Sequence, residues 1–97
     1  MNEERLLRAT AVSMRKGDFD PVYTRGPGCG CFVYHLDEAA KKNRVSDRLW
    51  FEARSRVFSL ISSDSWPAFS STKLRQEGWT KDDAVALLEI AADLAAV

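Results

Sequence analysis

The chain has 97 residues, and its fourteen basic side chains balance fourteen acidic ones, so its formal net charge is zero. This balance excludes a global electric field that would draw the protein to nucleic acid or to an anionic membrane. Because 45% of the residues are hydrophobic and 10% are aromatic, the composition is that of a folded globule rather than of a disordered chain. The length suits one hydrophobic core, so we expect a single domain over residues 1–97.

The first segment is predicted to form a helix over residues 3–16. Asn2 can cap its start, and the acidic Glu3 and Glu4 suit the positive end of the helix dipole. Its buried stripe is predicted from helical spacing to consist of Leu6, Leu7, Thr10, Ala11 and Met14.

Residues 17–30 are predicted to form a long loop, because they contain four glycines and two prolines. A short extended piece over residues 22–24 is an alternative within it. A loop of this length inside a compact domain is typical of a functional segment or of one held by its own apolar side chains.

Two helices are predicted next, over residues 31–42 and 47–62. Asn43 is expected to end the first in the left-handed conformation, and Ser46 is expected to cap the second. The core stripe of the second is predicted to be Leu49, Trp50, Ala53, Val57, Leu60 and Ile61.

The last third of the chain is predicted to contain a serine-rich loop over residues 62–71, a short helix over 72–77 and a final helix over 81–95. Thr80 is the expected cap of the final helix. Together these elements predict an all-α fold, a compact bundle of four to five helices with a long Gly/Pro-rich loop.

Twelve of the fourteen residues from 84 to 97 are apolar, and they point in nearly every direction around the final helix. Either this helix is surrounded by the others, or its outer face meets a second copy of the chain. We favour a homodimer through the 81–95 helix, with Leu87 and Leu94 on the outer face.

Three soft metal ligands, Cys29, Cys31 and His35, lie within seven residues. A structural zinc site needs four ligands, and the sequence holds no other Cys or His. Cys31 at a helix start could instead be a thiol of lowered pKa. The favoured interpretation is that both cysteines only pack, so a thiol or metal site stays an alternative, and we expect no metal or cofactor.

Catalysis is not expected. Cys31 and His35 are residue types that act as nucleophile and general base, but no orienting acid or oxyanion site is evident beside them. The segment with glycines at 26, 28 and 30 resembles a phosphate-binding loop, but it lacks the lysine and the hydroxyl residue of such a loop. We therefore predict that the protein is not an enzyme.

Protein–protein interaction is the predicted function, because ten aromatic residues are many for this length and several fall off the helical stripes or in loops. Aromatic side chains are enriched in protein interfaces. The candidate partner-binding residues are Phe51, Phe58, Trp66 and Phe69.

Nucleic-acid binding is the alternative function, because residues 41–56 carry six basic side chains against two acidic ones. The candidate residues are Lys41, Lys42, Arg44 and Arg48. We expect this partner less than a protein, because phosphate contacts normally come with a more basic domain.

The order of elements resembles that of small uncharacterised helical proteins of actinobacteria and their phages. The resemblance rests on an arginine-bearing first helix, the sequence Gly28-Cys29-Gly30-Cys31-Phe32-Val33 at the second helix, a loop with Trp66, and a final Ala/Leu helix. It implies an accessory helical protein without known chemistry, of the kind that a phage uses against a host component, and it transfers no catalytic residue.

The apolar stretch of residues 84–97 contains Glu89 and Asp93 and is too short and too charged to span a bilayer. The N-terminal residues include two acids and precede no apolar block of the signal-peptide type. We therefore expect a cytoplasmic protein without membrane contact.

Overall fold

A computed structural model describes residues 1–17, 32–61 and 80–97, which form four α-helices. They are α1 (Glu3–Lys16), α2 (Phe32–Asn43), α3 (Asp47–Ile61) and α4 (Lys81–Ala95). The described ranges contain no strand, which confirms the all-α prediction for this part of the chain. The remainder of the predicted 17–30 loop after Gly17, the extended piece at 22–24, the 62–71 loop and the 72–77 helix lie outside the described residues.

The bounds of α1 and α4 are as predicted, because both helices begin at a side-chain cap. The Oδ1 atom of Asn2 accepts a hydrogen bond from the Arg5 backbone N–H at 2.9 Å. At α4, the Thr80 hydroxyl accepts from the Asp83 N–H while the Asp83 carboxylate accepts from the Thr80 N–H. These reciprocal bonds satisfy two backbone donors that a helix start otherwise leaves unpaired.

The turn between α2 and α3 differs from the prediction in one residue. Arg44, and not Asn43, adopts the left-handed conformation, with φ of 52°. The N–H of Val45 donates to the Ala40 carbonyl and the N–H of Arg44 donates to the Lys41 carbonyl, which together form a Schellman motif. Asn43 remains helical, and its side-chain amide donates to a backbone carbonyl one turn earlier.

This turn predicts a stability difference between two variants of Arg44. Arg44→Gly should have a free energy of unfolding about 1 kcal/mol higher than Arg44→Ala, because only glycine adopts positive φ without steric cost. Both variants lose the guanidinium group, so the comparison isolates the backbone. Urea denaturation followed by circular dichroism measures the difference, and equal midpoints would show that the left-handed turn is not formed in solution.

The centre of the fold is α1, which contacts each of the other three helices. Its five predicted stripe residues are all buried. The apolar core that they share with the neighbouring helices includes Phe32, Leu36, Ala53, Val57 and Leu88. The final helix, α4, was predicted either to be surrounded or to have an outer face that meets a second copy; it has one buried side and one exposed side.

The core stripe of α3 is only partly as predicted. Ala53 and Val57 are buried, Leu49 and Trp50 are half-buried, and Leu60 is exposed. The side chain of Ile61, the sixth predicted member, lies outside the described part. Phe58, which lies off the predicted stripe, is buried instead of Leu60.

Three ion pairs connect α1 with its neighbours at the edges of the core. Arg8 pairs with Asp93 at 2.7 Å and Arg15 pairs with Glu89, both across the α1–α4 contact. Arg56 pairs with Glu3 across the α1–α3 contact at 2.5 Å, and this bond raises the pKa of Arg56. On the exposed side of α3, Arg48 pairs with Glu52 one turn later at 3.1 Å.

Candidate interaction surfaces

The four aromatic residues predicted to bind a partner have different surroundings. Phe51 is 60% exposed on the outer side of α3. Phe58 is only 6% exposed and lies beside Phe32, Leu36 and Leu88, so it belongs to the interior and not to a binding surface. Trp66 and Phe69 lie outside the described residues.

His35 is a buried residue, with 3% of its surface exposed. Its Nδ1 atom lies 3.0 Å from the Ser13 hydroxyl, which joins α2 to α1. Gly17 lies over the same ring, and a β-carbon at Gly17 would come 3.0 Å from the His35 Cε1 atom. Cys29 and Cys31 lie outside the described residues, and within the described ranges no three His, Cys, Asp or Glu residues are grouped to hold a metal ion.

The basic stretch is divided between the surface and internal contacts. Arg54 lies over the Trp50 ring at 4.9 Å, and the Trp50 indole N–H donates to Asp37 at 2.5 Å. Arg56 is held by Glu3. The four candidate nucleic-acid ligands all stay exposed, at the corner where α2 ends and α3 begins: Lys41, Lys42, Arg44 and Arg48.

The exposed side of α4 forms a second surface, here called the α4 outer face. It consists of Asp82, Asp83, Ala86, Ile90, Asp93 and Leu94. Ile90 is 53% exposed and Leu94 is 47% exposed, one helical turn apart. Leu87, which was predicted to share this face, is only 9% exposed and belongs to the core.

The charged residues of the α4 outer face are all aspartates. Asp82 and Asp83 lie in the first turn and Asp93 lies near the end of the helix. The hydrogen bonds from Thr80 lower the pKa of Asp83 below its ordinary value of 3.8, so this carboxylate remains ionised. Asp93 accepts from Arg8 but stays largely exposed. The face is therefore apolar in its middle and acidic at both ends.

A groove of about 1000 Å³ runs between α1 and α2. Its base is formed by small side chains, Ala9, Ser13 and Ala39, with Val12 on the α1 side. The lysines that line it are Lys16, Lys41 and Lys42, and among the described residues its one acidic lining residue is Glu38. This surface is here called the α1–α2 groove.

Sequence reasoning missed Ser13 and Lys16 as surface-forming residues. Ser13 precedes Met14 at the edge of the α1 stripe, and no local pattern indicated that α2 approaches it. Nothing in the local pattern placed Lys16 on the same groove as the lysines of α2, because that depends on how α1 packs against α2.

Compared with known proteins, the chain matches no family model, no curated protein and no solved structure. No helix in the described ranges is long and apolar enough to cross a membrane. Function is therefore inferred from the α4 outer face, the α1–α2 groove and the basic corner between α2 and α3.

Proposed function

We propose that this protein is a non-enzymatic accessory protein that binds another protein surface through the α4 outer face. The observation that supports the proposal is the exposure of Ile90 and Leu94 on successive turns of a capped helix. Removing exposed leucine and isoleucine side chains from water lowers the free energy, so a partner that covers them is bound more tightly.

The chemistry of the partner follows from the charges around these two side chains. Asp82, Asp83 and Asp93 surround the apolar middle of the face, and a complementary surface carries basic side chains opposite them. The proposed partner therefore presents an apolar patch with lysine or arginine at its ends. A direct two-fold pairing of α4 with α4 of a second copy would instead bring aspartates together, which electrostatic repulsion disfavours.

A synthetic basic helix tests this function. The probe is a fluorescently labelled amphipathic peptide with leucines along one face and lysines on its flanks, and binding is measured by anisotropy at low salt. The double variant Ile90→Gln with Leu94→Gln should weaken binding about tenfold or more, because both apolar contacts are lost. Glutamine is a good helix former, so α4 should stay folded.

Leu60→Gln is the matched control, because Leu60 is also an exposed apolar helical residue but lies on α3. It should leave the affinity within about twofold, as expected for a residue outside the interface. A second peptide of the same composition with scattered leucines should bind at least tenfold more weakly. Equal affinity of both peptides, or of wild type and the double variant, would contradict the proposal.

Nucleic-acid binding at the α2–α3 corner is a second candidate function, supported by the four exposed basic side chains there. Phosphate contacts release counterions, so binding would weaken steeply with salt. Arg44→Gln with Arg48→Gln should then abolish a mobility shift of single-stranded or duplex DNA at low salt. An unshifted wild-type sample would remove this candidate.

A further inference from the structure

The α1–α2 groove has its positive charges at two separate ends. Lys16 lies at the end of α1, next to Gly17, which packs over His35 near the start of α2. Lys41 and Lys42 lie in the last turn of α2. From His35 to Lys42 is seven residues, or about 10 Å along the helix, and the small side chains of the groove base lie between these ends.

The three groove lysines are exposed and form no hydrogen bond or ion pair with any described side chain. Lys81 shows the contrast, because its ammonium group is used internally and donates to the Gly17 carbonyl. Glu38, the single acid among the described lining residues, lies between the two ends along α2. In the part of the chain that the structure describes, the groove is thus basic at both ends, and the polar Tyr34 and Asn43 also line it.

The α4 outer face has the opposite arrangement. It carries Asp82 and Asp83 at one end, Asp93 toward the other, and Ile90 between them. Acidic ends suit the groove lysines, and the apolar middle suits the Ala9, Val12 and Ala39 surface. Both members of a complementary pair of surfaces are therefore present on one chain.

We propose that the protein self-associates head to tail, with the α4 outer face of one copy seated in the α1–α2 groove of the next. This inference rests on the proposed function, since it names the partner surface that α4 binds. Because the two surfaces differ, each copy keeps one of them free unless the assembly closes into a ring. The contact is heterologous, unlike the two-fold α4 pairing predicted from the sequence.

Charge-reversal variants test the contact by light scattering coupled to size exclusion at low salt. Wild type should show a mass that rises above 10.9 kDa with concentration. Lys16→Glu with Lys42→Glu reverses the charge of the groove. Asp82→Lys with Ile90→Lys removes the net negative charge of the α4 outer face and its exposed isoleucine. Each double variant alone should remain a monomer: the groove variant brings like charges together, and the α4 variant loses both the charge attraction and the apolar contact.

Mixing the two double variants is the decisive measurement. The groove variant keeps a native α4 face and the α4 variant keeps a native groove, so the mixture should associate again, with a mass above 10.9 kDa. Arg44→Glu with Arg48→Glu is the matched control, since it reverses two charges of the α2–α3 corner outside the groove; it should still associate as wild type does.

Three results would overturn self-association: a constant wild-type mass of 10.9 kDa at the highest concentration, a groove variant that associates like wild type, or a mixture that stays monomeric. The second result would indicate α4–α4 pairing instead. If wild type stays monomeric yet binds the basic peptide through Ile90 and Leu94, the proposed function stands and only the self-association fails.

Discussion

Leu87→Glu should lower the free energy of unfolding by about 2–4 kcal/mol, whereas Leu94→Glu should lower it by only about 0.5 kcal/mol. Leu87 is 9% exposed and packs in the core, so a carboxylate there loses its water without gaining a partner. Leu94 is 47% exposed, so the stability loss of its variant comes mainly from placing a carboxylate near the negative end of the helix dipole. Thermal and urea denaturation of the two variants measures the difference.

The two leucines form a matched pair, because they carry the same substitution on one helix, two turns apart. A small effect at Leu87 would mean that this side of α4 is not packed against α1 and α3, and the exposed side of the helix would then have to be reassigned. Comparable large effects at both positions would indicate that Leu94 is covered too. Measurements at low protein concentration keep self-association from contributing to the stability of either variant.

His35→Ala is expected to cost about 2–3 kcal/mol of folding free energy, because it removes a buried ring and leaves a cavity between α1 and α2. Ser13→Ala should cost about 1 kcal/mol, since it removes the hydroxyl that lies 3.0 Å from the ring nitrogen. The double variant should cost less than the sum of the two, because the residues share one contact. Urea denaturation of all three variants measures these effects.

This prediction separates a packing role of His35 from the metal or thiol role that the sequence left open. If His35 has a packing role, its replacement lowers the free energy of unfolding. Metal added to the protein should then leave the denaturation midpoints of wild type and variant unchanged. A loss below about 0.5 kcal/mol in His35→Ala, which is typical of surface substitutions, would contradict the packing role. A zinc-dependent rise in the wild-type midpoint that His35→Ala removes would restore the metal-site hypothesis.

The residues of the α4 outer face and the α1–α2 groove differ from the binding residues predicted from the sequence. Phe51 was predicted to bind a partner and is exposed on α3, but it lies outside both the α4 outer face and the α1–α2 groove. Its role in binding stays a prediction, as does the phage or host setting that the resemblance implies. The apolar contacts proposed for binding come instead from Ile90 and Leu94; the sequence predicted Leu94 on the outer face of the final helix, and Ile90 only as a member of an apolar helix.

The sequence by itself determined the helices, because their signals are local. Asn2 and Thr80 cap α1 and α4, and hydrophobic spacing over three or four turns located the buried stripe of α1. The same local reasoning placed the end of α2 one residue early. Asn43 tolerates positive φ better than arginine does, but the hydrogen bonds of Val45 and Arg44 set the left-handed position at Arg44.

Tertiary structure alone decided which side of α4 is exposed and which charges are free. The apolar side chains of α4 point in nearly every direction around the helix axis, so periodicity could not distinguish Leu87 from Leu94. The distinction arises from the positions of α1 and α3. Likewise, Arg8, Arg15 and Arg56 are held by acids 53 to 85 residues away in sequence, whereas Lys16 and Lys42 line opposite ends of one groove. Such pairings depend on helix packing, which acts between distant segments and leaves no mark in local spacing.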